Sequence, residues 1–270
     1  MEILLGFSLG ALIGFVSWRA GALSTSGAMA AAVTGGLIFG LGGLPWAALL
    51  LTFFITSSAL SRLLSNRKST VYEKFSKGNR RDWGQVLANG GLGSLLVIAH
   101  AIWPEETWPW IAFGGAMAAV NADTWATEIG VLSPHEPRLI TNGKAVEGGT
   151  SGGISLVGSL AALGGAAIIA LLAACFPVSN PFLGFGPILI PAITLGGLCG
   201  AFFDSLLGAT VQAIYNCPQC QKETERHPAH SCGTATFLKR GWPWLNNDWV
   251  NFFCSAVGAV SAWLFCQIFI

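Results

Sequence analysis

The sequence predicts an all-α, polytopic integral membrane protein that forms a single transmembrane domain over residues 1–270. Of its 270 residues, 53% are hydrophobic and only 10% are charged, a balance unlike that of soluble domains. The mean hydropathy of +0.60 agrees. About eight stretches are long and apolar enough to cross roughly 30 Å of hydrocarbon as helices. They are residues 2–18, 27–42, 45–63, 84–103, 108–122, 153–175, 185–214 and 250–269. The fifth is short in apolar residues, which is also compatible with a broken helix.

The charges of the connecting loops predict the orientation. If the eight spans alternate, the loops near residues 18–26, 62–82, 124–150 and 215–249 share one side, and these loops hold all 14 lysines and arginines. The opposite side carries only acids, Glu2, Glu105 and Glu106. The positive-inside rule therefore predicts cytoplasmic basic loops and outside N and C termini. A net charge of +1 argues against a nucleic-acid partner.

Two short similarities indicate a duplicated four-helix unit. Residues 25–30 (TSGAMA) open the second span much as residues 150–155 (TSGGIS) open the sixth, and an Asp-Trp pair opens both the fourth and the eighth. The halves, 1–103 and 108–270, would then be parallel repeats because each holds an even number of spans. Close packing of small residues between helices also produces such short matches.

Asp204 is the most informative polar residue. It lies in the apolar stretch 196–212, with no lysine or arginine within 15 residues, and a carboxylate at mid-bilayer costs about 2.5–3.5 kcal/mol. Other acids occur on the same side of the membrane, and acids with amides suit Mg²⁺. Asp123 and Asp248 are also typical of helix caps, and Asp204 of a structural partner for an arginine or amide. The predicted metal ligands are Asp123, Glu128, Asp204 and Asp248, with Asn247 and Asn251 assisting, and the predicted cofactor-binding amides also include Asn89 and Gln212.

A glycine-rich loop precedes the sixth span. Glycines let backbone N–H groups converge, and the following helix would aim its positive end at the loop, an arrangement that binds phosphate. The loop lacks the Gly-Lys-Ser/Thr of a Walker A motif. With Arg138 and Lys144 nearby, it predicts an anionic, metal-chelated ligand such as a nucleotide or diphosphate. The predicted phosphate-binding residues are Gly148, Gly149, Thr150, Ser151, Gly152, Gly153 and Ser155.

The loop 215–249 carries a Cys/His pattern. Cys217 and Cys220 form a Cys-x₂-Cys pair, and His230 and Cys232 follow in a His-x-Cys pair. Three thiolates and one imidazole make up a structural Zn²⁺ site, and a cytoplasmic position disfavours a disulfide. The alternative is a reduced cluster without a metal.

Several of these motifs together resemble a known family. Residues 121–130 (NADTWATEIG), 148–155 (GGTSGGIS), 204–212 (DSLLGATVQ) and 246–251 (NNDWVN) look like the transmembrane-protein-19 family, or domain of unknown function 92. Residues 85–91 also fit its pattern. That family includes the phytyl-phosphate kinase of plant and cyanobacterial vitamin E synthesis. The resemblance implies a CTP-dependent kinase that converts an isoprenyl monophosphate, such as phytyl or geranylgeranyl phosphate, into the diphosphate.

These two lines of reasoning lead to one hypothesis. Mg²⁺ on the acids would bridge nucleotide phosphates, the glycine loop would cradle phosphate oxygens, and Arg81, Arg138 and Lys144 would neutralise the transferring group. The prenyl tail would lie between helices rich in small residues. The alternative is a secondary transporter in which Asp204 is an intramembrane ion or proton site. The sequence does not fix the oligomeric state.

Overall fold

The computed structural model describes residues 2–65, 80–176 and 186–269, within which the chain is mainly helical. All the helices except α4 have the length and hydropathy of membrane-spanning segments. The predicted fold class is confirmed. The basic residues Arg67, Lys68, Lys74 and Lys77, which entered the loop-charge prediction, lie outside the described residues. The helices are α1 (Glu2–Arg19), α2 (Thr25–Leu63), α3 (Trp83–Ile102), α4 (Trp108–Gly130), α5 (Leu156–Ala174), α6 (Gly186–Thr210) and α7 (Asn247–Phe269).

Helix α2 contains two membrane-crossing segments. Its 39 residues would extend about 58 Å as one straight helix, roughly twice the hydrocarbon thickness. Gly43 interrupts the helix with a φ of 73°, and Pro45 follows. The first and last residues of α2 lie at the same end of the bundle. Arg62, in the last turn of α2, donates from its guanidinium to the carbonyl of Ala20, which precedes the start of α2. The halves are therefore antiparallel and correspond to the second and third predicted spans, in agreement with a count of about eight.

Helix α4 occupies the centre of the bundle. The sequence predicted a short fifth span at 108–122, compatible with a broken helix, but α4 is continuous over Trp108–Gly130. Every residue from 109 to 122 is buried, because α2, α3, α5, α6 and α7 surround the helix. A helix enclosed by protein does not need lipid-facing leucines and phenylalanines, which explains its weak hydropathy.

Small residues bring α4, α6 and α7 nearly into backbone contact. A Cβ atom added at Gly200 of α6 would lie 2.5 Å from the Cβ of Ala119 in α4 and 2.5 Å from the carbonyl oxygen of Cys254 in α7. A Cβ at Gly258 would lie 2.6 Å from the carbonyl oxygen of Gly115. This close approach holds the polar residues of the three helices near one another, as small-residue packing does in membranes generally.

Short strands replace some predicted helix ends. The sixth span was expected from residue 153, but β2 (Gly153–Ile154) pairs antiparallel with β1 (Arg138–Leu139), and α5 begins only at Leu156. The seventh span was expected to reach residue 214, but α6 ends at Thr210. Gln212 therefore lies beyond the helix that carries Asp204. The loop after α6 forms an antiparallel sheet in the order β4-β3-β5, made of β3 (Ile214–Cys217), β4 (Lys222–Thr224) and β5 (Phe237–Arg240).

Candidate functional site

A polar cavity of about 550 Å³ opens at the end of the bundle where the basic loops meet. It lies among the first turns of α3, α5 and α7 and the last turns of α4 and α6. Its walls combine carboxylates, amides, hydroxyls and the glycine loop. The predicted residues among its lining are Arg81, Asn89, Asp123, Glu128, Gly148, Gly149, Thr150, Ser151, Gly152, Gly153, Ser155, Asp204, Asn247 and Asn251.

Three carboxylates interact across this cavity. Asp123 on α4 interacts electrostatically with Glu225, and Asp204 on α6 interacts with both. The Oδ2 atom of Asp204 is buried and has no hydrogen-bond partner among the residues that the structure describes. Like charges held together in a protein interior repel unless a cation neutralises them. The oxygen-only donor set and the unpartnered Asp204 oxygen therefore fit a hard divalent cation such as Mg²⁺.

Glu128 lies in the same cavity but is engaged by other groups. It is only 6% exposed, and its Oε1 accepts a 2.6 Å hydrogen bond from the hydroxyl of Ser61. Arg81 interacts electrostatically with Glu128 and packs its guanidinium over the rings of Phe53 and Phe54, at 5.3 and 5.9 Å from the centroids. Burial lowers the pKa of Arg81 to about 10, an effect that the Glu128 carboxylate opposes, so Arg81 is a cation at neutral pH. Glu128 is better described as the partner of Arg81 than as a fourth equivalent acid.

Two glycines of the loop have backbone conformations that favour glycine. Gly149 and Gly152 have φ values of 74° and 83°, a conformation that costs little only for glycine. At Gly152 a Cβ atom would lie 2.4 Å from the amide nitrogen of Ala209, so the loop packs directly on α6. Ser155 caps α5, because its Oγ accepts from the N–H of Gly158 at 3.1 Å. The loop is thus held between α5 and α6 with its backbone facing the cavity.

Three helices direct their N-terminal ends to this cavity. Gln85 and Asn89 of α3 line it, as do Ser155 and Gly158 at the start of α5 and Asn247 at the start of α7. Each of these helix starts is capped by a side chain, Asp82, Ser155 or Asn246, which accepts from one or two of the N–H groups. The partial positive charge of a first helical turn nevertheless favours anions. The cavity therefore brings a group of acids close to several helix N-termini.

Four predicted site residues are absent from the cavity lining. They are Asp248, Arg138, Lys144 and Gln212. Asn246 caps α7, because its Oδ1 accepts from the N–H groups of Asp248 and Trp249 at 3.0 and 3.2 Å. Arg138 donates to the carbonyl of Gly143 within its own hairpin.

Gln212 connects the glycine loop to the loop that follows α6. It is 1% exposed, its Oε1 accepts a 2.6 Å bond from Ser151, and its Nε2 donates a 2.9 Å bond to Glu225. Glu225 was not predicted as a site residue. An acid in a polar loop gives no sequence signal, since only the folding of β3 and β4 brings it to the cavity.

The four cysteine and histidine residues predicted as zinc ligands in the loop 215–249 lie close together. One ligand atom from each of Cys217, Cys220, His230 and Cys232 lies within 4.8 Å of all the others. The Sγ atoms of Cys217 and Cys232 are 3.6 Å apart, and Nδ1 of His230 is 3.4 Å from the Sγ of Cys232. All four predicted residues thus come together. Hydrogen bonding with Thr234 and His230 lowers the pKa of the Cys232 thiol to about 6, whereas a hydrogen bond with Cys232 raises that of Cys220 to about 11.

The fold and the cavity define a polytopic membrane protein with a polar site at one end of its helices. The family model for the integral membrane proteins DUF92 matches residues 8–259, and the chain belongs to this family. Protein PGR of Arabidopsis thaliana is 36% identical over 222 residues, which cover 76% of this chain and 77% of PGR.

Two further relatives are described only as uncharacterised membrane proteins. One, from Methanocaldococcus jannaschii, is 34% identical over 189 residues, covering 69% of this chain and 74% of the relative. The other, from Synechocystis, is 29% identical over 235 residues, covering 82% and 77% respectively. No solved structure matches the chain significantly.

Proposed function

We propose that this protein is an integral membrane phosphotransferase that transfers the terminal phosphoryl group of a nucleoside triphosphate, CTP by the family resemblance, to a prenyl monophosphate such as phytyl phosphate. The observation that carries the proposal is the cavity in which three carboxylates face a glycine loop and three helix N-termini. Such a site suits a ligand that is anionic and metal-chelated. The active face is cytoplasmic in this proposal, because the basic loops surround it.

The reaction needs positioning and charge neutralisation more than acid-base chemistry. A phosphate monoester is already anionic near neutral pH. One of its oxygens attacks the terminal phosphorus of the nucleotide, the bond from that phosphorus to its bridging oxygen breaks, and a nucleoside diphosphate leaves. The main barrier is the approach of two polyanions, which oriented cations and dipoles lower.

Each group of cavity residues has a role in this phosphoryl transfer. Asp123, Asp204 and Glu225 hold Mg²⁺, which when bound neutralises charge on the phosphate oxygens. Backbone N–H groups of the glycine loop and of the first turn of α5 donate hydrogen bonds to phosphate oxygens. Arg81, kept in place by Glu128 and the rings of Phe53 and Phe54, supplies a fixed positive charge on the cavity wall.

The neighbourhood of the cavity also suits the two substrates. Ala201 and Phe202 of α6 line it, and Phe202 is 39% exposed, so the cavity offers apolar surface for the start of a prenyl tail. A second cavity of about 630 Å³ shares Gly149, Thr150 and Ser151 with the first and offers room for the nucleoside.

The transporter alternative requires a path from the acids to the opposite side of the membrane. Beyond the acids, towards that side, the described residues of α2 and α4 form a closed apolar core that includes Trp46, Trp110 and Phe113, each at most 3% exposed. The ring centroids of Trp46 and Phe113 are 4.6 Å apart. This packing supports an enzyme open to one side over a transporter.

The test uses purified protein in detergent with Mg²⁺, phytyl phosphate and each nucleoside triphosphate in turn, with diphosphate formation as the readout. We expect product with CTP and a loss of about 10²–10³-fold in the Asp204→Asn variant, the size expected when an electrostatic group of an active site is removed. Glu105→Gln, at the opposite end of the bundle, is the matched control and should keep wild-type activity. Undiminished turnover in Asp204→Asn would remove this residue from the mechanism. No product with any nucleotide or prenyl phosphate would favour the transporter.

A further inference from the structure

The loop after α6 is a small structured module that contributes Glu225 to the lining of the acidic cavity. Its sheet contains the hairpin β3–β4, and the turn between these strands carries Cys217 and Cys220. Gln221, directly after the turn, has a φ of 52°, which bends the backbone around the two thiols. Glu225 immediately follows β4, so the Cys-x₂-Cys turn and the acidic cavity are joined by one short strand.

The geometry of the cluster matches tetrahedral zinc coordination. With a Zn–S bond of about 2.3 Å and a Zn–N bond of about 2.0–2.1 Å, two sulfurs of a tetrahedral site lie about 3.8 Å apart, and a sulfur and a nitrogen about 3.5 Å. The Sγ atoms of Cys217 and Cys232 are 3.6 Å apart, and His230 Nδ1 is 3.4 Å from Cys232 Sγ. With Cys220 as the fourth ligand, the group supplies the three thiolates and one imidazole of a structural zinc site, all within 4.8 Å of one another.

We propose that Cys217, Cys220, His230 and Cys232 bind one structural Zn²⁺ ion, and that this ion holds the β3–β4 hairpin so that Glu225 reaches the cavity of Asp123 and Asp204. The second part rests on the proposed Mg²⁺ site. Without the metal, the hairpin retains two inter-strand pairs beyond the cysteine, Tyr215 with Thr224 and Asn216 with Glu223. β3 also pairs with β5, yet all three strands have only three or four residues, so the metal adds order that this small sheet lacks by itself. Glu225 is a positioned ligand in this scheme, and the zinc ligands act through it.

Zinc content tests the first part without any activity measurement. The full-length protein is purified in detergent, and zinc per chain is measured by inductively coupled plasma mass spectrometry. We expect one zinc per wild-type chain and at least a tenfold loss in the Cys217→Ser, Cys232→Ser double variant. The control is Cys175→Ser, whose thiol lies near the opposite end of the bundle and should leave zinc unchanged. Wild-type protein without zinc, or a double variant that keeps it, overturns the zinc site.

The positioning role is tested by the shift in melting temperature that Mg²⁺ produces. We expect Mg²⁺ to raise the melting temperature of the wild type, and Glu225→Gln to keep its zinc while losing most of that shift. Removing zinc from the wild type with a chelator should reduce the Mg²⁺-induced shift as much as Glu225→Gln does, and added zinc should restore the shift. Removing zinc from Glu225→Gln should cause no further loss. Additive losses, or a full Mg²⁺ shift in zinc-free protein, refute the positioning role. This readout does not depend on phosphoryl transfer, so it distinguishes failure of the zinc proposal from failure of the kinase proposal.

Discussion

Gly200→Ala is a perturbation whose effect follows directly from the packing of α4, α6 and α7. The new methyl group would lie 2.5 Å from the Cβ of Ala119 and 2.5 Å from the carbonyl oxygen of Cys254. Carbon atoms in ordinary contact are about 3.5–4.0 Å apart, so the helices must separate by about 1 Å. Gly200 and Ala119 each lie one turn before an acid of the cavity, Asp204 and Asp123 respectively. The added methyl therefore moves the two acids apart.

The magnitude has two opposing parts. Overpacking a dense interior costs about 1–3 kcal/mol, and replacing a helical glycine with alanine returns up to about 1 kcal/mol. Gly164→Ala in α5 isolates the second part, since its new Cβ would be 3.8 Å from the nearest atom, an ordinary contact with Trp125. We expect Gly200→Ala to melt several degrees below Gly164→Ala in the same detergent.

Catalysis should respond more strongly than stability. A displacement of about 1 Å at a reacting geometry costs on the order of 10²-fold in rate. We therefore expect Gly200→Ala to remain folded while losing most of its prenyl-phosphate kinase activity and its Mg²⁺-induced rise in melting temperature. If Gly200→Ala matches Gly164→Ala in melting temperature and in Mg²⁺ response, the close contact of these three helices and its role in holding the acids together are refuted.

The other predictions concern α2 and the orientation. Gly43→Ala should lower the melting temperature by an amount corresponding to about 1–3 kcal/mol, because the φ of 73° and ψ of −162° at this position are accessible essentially only to glycine. Gly35→Ala, whose Cβ would meet nothing closer than 3.9 Å, is the control, and equal melting temperatures would contradict the turn at Gly43. The C terminus is expected outside the cytoplasm, so alkaline phosphatase fused to it should be active in bacterial cells, whereas green fluorescent protein fused to it should not fluoresce. The opposite pattern would show that the orientation is reversed.

The sequence predicted the membrane architecture because that architecture depends on properties of each segment alone. Apolar length and loop charge are local, and they sufficed for about eight spans. The exceptions have two causes. α4 was expected to be short because protein encloses it and it carries few lipid-facing side chains. α6 was expected to be long because Ala213 and Ile214, which are apolar, are buried in the module after the helix rather than in the membrane span.

The structure brings most of the residues predicted for the magnesium and phosphate site to one cavity, and it adds Glu225. Asp204, Asp123 and the glycine loop line one cavity because each lies at the same end of its own helix, which span order already implied. Asp248, Arg138 and Lys144 were expected there for the same reason, but their side chains are not among the cavity lining. The direction of Asp248 depends on the rotation of α7, and the directions of Arg138 and Lys144 depend on the fold of the hairpin that contains β1. Short sequence segments indicate neither.

The sequence by itself determined that an acid is buried in the membrane at Asp204, that the charged loops share one side, and that four zinc-type ligands occur at metal-binding spacing. Only the tertiary structure decided which groups meet. Gln212 joins Ser151 to Glu225, Arg81 joins Glu128 to two aromatic rings, and Glu225 comes to the cavity from a separate loop. These contacts depend on packing between distant segments, which the glycines of α4, α6 and α7 permit and no local pattern encodes.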